Sequence, residues 1–94
     1  MRDLPDDVRP YRRTPDFTCE TVPKALTHAH DTKPGVWGRI VVVEGEVLYR
    51  ILEPTPEDVL LSPAVHGVVE PTMKHDVQPR PGARFYVEFL RAPD

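Results

Sequence analysis

Four histidines and one glutamate are the residues of this chain best suited to chemistry. His28 and His30 lie two apart in the segment PKALTHAH, and His75 follows the turn VVEPTMK. Glu88 lies within RFYVEFL, while His66 sits in a Pro-Ala-Val-His-Gly turn and reads as a surface residue. Imidazole with carboxylate suits zinc, iron, nickel or manganese, and two histidines plus one carboxylate with open positions is an arrangement used by non-haem Fe(II). The sharp expectation is a mononuclear divalent metal held by His30, His75 and Glu88, with His28 as the substitute. Such a metal polarises a substrate or activates water. The competing expectation is plainer. A neutral histidine on a core-facing position can simply hydrogen-bond a neighbouring carbonyl, which leaves a metal-free, non-enzymatic binding or interaction module.

The elements that must position these residues read as short strands. Gly38–Leu52, GRIVVVEGEVLYRIL, is the longest apolar run, and Val and Ile dominate it as they do strands. Glu44-Gly45-Glu46 breaks it with a tight turn, which predicts a β-hairpin of Arg39–Val43 and Val47–Leu52. Ile40 and Val42 face one way, Val41 and Val43 the other. A strand apolar on both faces needs cover on both sides, so the hairpin belongs inside a sandwich or small barrel. Arg84–Leu90 alternates with Phe85, Val87 and Phe89 on one face and Tyr86 and Glu88 on the other. Alternation alone puts Glu88 in solvent, whereas a strap covering the Phe face would turn Tyr86 and Glu88 inward.

In an extended PKALTHAH, Leu26, His28 and His30 share a face. Asp16–Val22 reads as a short strand or turn, and Asp31–Gly35 as a turn. Further short strands are expected at Val59–Leu61, Gly67–Glu70 and His75–Val77. Residues 1–15 are charged, hold three prolines and should strap across the surface. No segment keeps helical spacing for ten residues. The whole, residues 1–94, reads as a single all-β domain. Twelve prolines, well above the usual ~5%, favour short strands joined by rigid turns.

Hydrophobic residues make up 39% of the 94 and charged residues 29%, which suits a soluble globular domain. A net charge of −3 and a pI near 5.8 give no electrostatic case for nucleic-acid binding. The lone Cys19 excludes an internal disulfide and a thiolate zinc site. With no apolar leader and no run long enough to span a membrane, the expected compartment is the cytoplasm. There is no Gly-rich phosphate loop and no G-x-S-x-G elbow.

Two stretches together resemble a known family. GRIVVVEGEVLYRI is similar to the end of the first cupin motif, and GVVEPTMKH to the second, in which a proline turn precedes an inward histidine. LPDDVRPYRRTPDFT, HDTKPGVWGRIVVVEGEVLYRI, VVEPTMKHDVQP and RFYVEFL together resemble the small cupin-like TehB/YeaR-like domains, associated by name with tellurite resistance. HDTKPGVWG is the most specific part. The resemblance implies a small cupin-like barrel of the double-stranded β-helix or jelly-roll type. It also implies a small-molecule or oxyanion ligand with a link to tellurite or related stress, and it favours His30 over His28 as a ligand. The chain departs from a metal cupin at the usual ligand spacings, which fall on Thr32, Pro34 and Gly38. Its interval from Pro71 to His75 is one residue short. Trp37, Tyr49 and Tyr86 are the expected pocket aromatics, and since cupin-like barrels often pair through edge strands, the resemblance implies a homodimer as the expected assembly.

Overall fold

The computed structural model describes residues 1–27, 30–53 and 55–93. Eight strands follow the chain: β1 (Arg9–Arg13), β2 (His30–Asp31), β3 (Trp37–Glu44), β4 (Val47–Glu53), β5 (Glu57–Leu61), β6 (Gly67–Val69), β7 (Lys74–Pro79) and β8 (Arg84–Arg91). They form two four-stranded antiparallel sheets, ordered β1-β8-β3-β6 and β2-β7-β4-β5. Among the described residues the strands do not close into a barrel. Arg9–Arg13, within the expected strap, pairs with β8 as an edge strand. Met1 Sδ receives the Val68 amide at 3.1 Å, so residues 1–9 run from β6 to the far edge of that sheet. Among the described residues no helix is long and apolar enough to cross a membrane.

The expected hairpin is corrected. β3 pairs with β8 and β6, and β4 pairs with β7 and β5, so the turn at Gly45 carries the chain from one sheet to the other. The sequence-adjacent strands that do pair are β4 and β5, from Val47 opposite Leu61 to Ile51 opposite Glu57. The reason lies in the faces. Ile40 and Val42 on β3, and Val47, Tyr49 and Ile51 on β4, are buried and meet face to face across the sandwich. A hairpin would have set those two faces side by side. Gly45 makes the crossing with φ +78°, and a Cβ there would lie 2.8 Å from Ala83 Cα.

The two-sided cover expected for β3 is corrected as well. Val41 is half-buried and Val43 is 39% exposed. On β8 the alternation reading holds: Phe85 and Val87 are buried against the core, while Tyr86 and Glu88 lie on the other face, half-buried.

The extended reading of PKALTHAH gives way over Lys24–Thr27 to a turn of 3-10 helix. Phe17 forms a bridge with Phe85, and their rings meet edge to face at 5.8 Å. Thr18 then starts a turn, accepting the amide of Val22 at 2.9 Å.

Candidate functional site

Between the sheets lies a cavity of about 40 Å³. Gly38, Ile40, Val69, Val87 and Phe89 line it from the first sheet, and His75 and Val77 from the second. Leu26 of the 3-10 helix, Thr14 and Thr32 complete the wall. Each sheet contributes inward-facing strand positions, while Thr14, Leu26, Thr32 and Phe89 of the wall are only half-buried. Among the described residues no lysine, arginine, aspartate or glutamate reaches it.

His75 is the ionisable residue of this wall and is only 4% exposed. Its Nδ1 lies 3.1 Å from the carbonyl oxygen of Met73. A carbonyl can only accept, so in the neutral ring Nδ1 carries the proton and Nε2 carries the lone pair. Tyr49 packs edge-on against the imidazole, with ring centroids 5.7 Å apart and planes at 78°.

Tyr49 itself is fully buried. Its hydroxyl donates to the Val68 carbonyl at 2.9 Å and lies 3.4 Å from Met73 Sδ. Burial, then the charges of Glu70 and Glu57, push its phenol above the ordinary value of 10.0, so it stays neutral through the physiological range.

The turn before β7 aims these groups. Met73 N donates to Glu70 O at 3.3 Å across Pro71-Thr72, and Thr72 takes φ +61°. This is the geometry of a type II turn, which asks for glycine at the position Thr72 fills. A β-branched residue there is strained. Thr32 clamps the same turn: its Oγ1 donates to Glu70 O at 3.2 Å, and its carbonyl accepts from Thr72 N at 3.0 Å. Thr14 ties the strap to β8, with its amide donating to Val87 O at 2.9 Å and its Oγ1 accepting from Val87 N at 3.1 Å.

The sequence-predicted residues fall in different places. His30 is the cross-strand partner of His75 in the β2–β7 ladder. His28 lies outside the described residues, and His66 is exposed. Glu88 is not brought to the cavity. It occupies the face of β8 opposite Val87 and Phe89, where the Arg39 guanidinium holds it with Nε and one terminal nitrogen at 2.8 Å. Among the described residues no group of three or more His, Cys, Asp or Glu converges as a metal site.

None of the three expected pocket aromatics lines the cavity, although Tyr49 packs against His75 of its wall. Trp37 shares the face of Arg39, and Tyr86 lies outward beneath the Arg13 guanidinium at 3.7 Å. At the surface Arg50 pairs with Asp58 and Arg84 with Glu44.

Sequence reasoning passed over the cavity wall, because aliphatic residues and threonines carry no signature of a site. One signal was available: a glycine, Gly38, inside a strand pattern marks a close approach or a hollow.

Comparisons with known proteins point to one family. The model described as TehB-like domain matches residues 12–87. A curated relative, the "Probable S-adenosyl-L-methionine-dependent methyltransferase TehB" of Haemophilus influenzae (strain 10810), is 29% identical over 72 residues, covering 72% of this chain and 25% of the relative. The crystal structure of a protein from E. coli (strain K12) superposes with a TM-score of 0.88 at 26% identity, with both chains covered in full. TehB from Haemophilus influenzae superposes with a TM-score of 0.85 at 23% identity, over 93% of this chain and 32% of that one, a likeness of fold. This chain therefore spans about a quarter of the curated relative and about a third of the TehB structure.

Proposed function

This chain belongs to the TehB-like domain family, and on that premise we propose that it is a cupin-like small-ligand-binding module. In this reading a divalent metal (zinc, iron, nickel or manganese) is held by the imidazoles of His75 and His30 at the cavity between the sheets. The observation that carries it is the hydrogen bond from His75 Nδ1 to Met73 O, which puts the proton on Nδ1 and so supports Nε2 as the ligating nitrogen. Metal-bound histidines characteristically donate their other N–H to a carbonyl or carboxylate, which fixes ring and tautomer. The β2–β7 register, which pairs the backbone of His30 with that of His75, supports His30 as the second ligand of the proposal. His28 is the third protein ligand of the proposal. Glu88 is left out because Arg39 occupies its carboxylate on the other face of β8. A metal so held supplies a Lewis acid for a bound small molecule.

Methyl transfer, which the name of the Haemophilus relative states for that protein, belongs on this reading to the part that this chain does not match. A cavity of about 40 Å³ has no room for S-adenosylmethionine, since sites for ligands of drug size run to roughly 300–1,000 Å³.

Elemental analysis of protein purified without chelator or histidine tag tests the metal. About one equivalent is expected, lost in His75→Ala and in His30→Ala, with melting raised by added Zn²⁺, Ni²⁺ or Fe²⁺ in the wild type alone. Protein free of metal, with melting indifferent to all three ions, overturns the reading. A second reading, a metal-free module whose histidines are structural, draws on the same ring. His75 is stacked edge-on by Tyr49 and bonded to Met73, and among the described residues no buried side-chain nitrogen or oxygen lacks a partner.

A further inference from the structure

We infer that the cavity takes a small uncharged ligand, of about one to three non-hydrogen atoms, seated against Gly38, and that Gly38 sets how large that ligand can be. This rests on the reading of the cavity as a binding site, and it does not need the metal.

Size follows from the volume of about 40 Å³. That is room for more than one water and well short of the roughly 150 Å³ cavity that admits benzene. Charge follows from the wall. Isoleucine, valine, leucine and phenylalanine dominate it, and among the described residues it offers no cationic side chain. In the absence of a metal, an oxyanion placed among these groups would lose its hydration with no lysine or arginine among the described residues there to offset the loss. An uncharged ligand loses little against a wall that is mostly aliphatic, and the Thr14 hydroxyl there is already engaged, donating to Pro15 O at 2.8 Å and accepting from Val87 N at 3.1 Å.

Gly38 is the unusual feature. It lies inside β3, paired with Val69 on one side and Phe89 on the other, and it does not take a positive φ. No turn requires it, and glycine weakens a strand interior. Its inward position lines the cavity. A Cβ there would lie 3.2 Å from Val69 Cβ and 3.5 Å from Val69 Cγ2. Val69 borders the cavity itself, so an added methyl is accommodated by Val69 moving into the open space. Either way the hollow shrinks, and the missing side chain at position 38 is what keeps it open.

Xenon is the uncharged probe and azide a small anion to set against it. Both are followed by the methyl NMR signals of Ile40, Val69 and Val87 in the protein as purified and after chelator treatment, and the azide comparison is read in the chelator-treated protein, where no metal can hold the anion. Xenon is expected to shift these methyls in the wild type, azide at equal concentration to leave them in place, and Gly38→Ala to weaken the xenon response roughly fivefold or more. Should Gly38→Ala not fold, Val69→Ala decides: it enlarges the hollow, so its xenon response must exceed that of the wild type. No xenon response in the wild type, an undiminished response in folded Gly38→Ala, a Val69→Ala response no greater than wild type, or azide shifting these methyls more than xenon would each overturn the inference. A xenon response that follows this pattern in protein without metal sinks the metal reading and leaves this one standing.

Discussion

His75 Nδ1 and the carbonyl oxygen of Met73 lie 3.1 Å apart, so a residue on β7 is locked by the turn that precedes it. The lock decides which nitrogen carries the proton in the neutral ring. In ¹⁵N-edited NMR at pH 8 His75 should show a protonated Nδ1 and an unprotonated Nε2. A ring protonated at Nε2 would contradict both the bond and the ligand role built on it.

The Glu88 carboxylate should be irrelevant to metal content. Glu88→Gln is expected to keep the metal that His75→Ala loses. Because its partner Arg39 and Glu88 itself are both partly exposed, the variant should change stability by about 1 kcal/mol or less. Loss of metal in Glu88→Gln with the fold intact would return Glu88 to the ligand set.

Tyr49 gives the fold a sensitivity to alkali. Its phenol is raised above 10.0 by burial, then by Glu70 and Glu57. The unfolded chain releases this proton from about pH 10 upward while the folded chain keeps it, so the unfolded state binds fewer protons and stability falls as pH rises. Between pH 9 and 11 the loss from this residue should be roughly 1 kcal/mol. Denaturant titrations of wild type and Tyr49→Phe should show the variant about 1–2 kcal/mol less stable at pH 7 and lacking this part of the alkaline slope. Parallel alkaline slopes would refute the assignment.

Thr72 stores strain beside the site. Thr72→Gly removes a left-handed cost of about 1–2 kcal/mol against a glycine entropy cost of roughly 0.5–1 kcal/mol. A net gain of about 0.5–1 kcal/mol in unfolding free energy is therefore expected. A destabilised variant would mean that the Thr72 hydroxyl, which donates to Pro71 O at 2.6 Å, outweighs the strain.

Much of this fold is written in two-residue periodicity. Phe85 and Val87 face the core as the alternation of RFYVEFL requires, and Tyr86 and Glu88 face away. Pairing is less legible. The turn at Gly45 has the same chemistry whether it folds a strand back on its neighbour or sends it to a second sheet. Only the positions of β8 and β7, which claim β3 and β4 as partners, decide between the two. At the site, the histidine after the Pro71 turn was legible as buried. The cavity wall was not, because Val69, Val77 and Val87 look like any core valines, and the space between them is a property of the assembled sheets.

β8 sits between β1 and β3, with Arg91 opposite Arg9 and Val87 opposite Ile40. A nascent chain emerging from the ribosome can therefore not complete its first sheet until β8 has been made. Until then β1 has no strand to join, and one edge of β3 is left without its partner. Slow, late closure of this kind is where such a chain is most open to aggregation, and where a holdase chaperone has the longest time to act.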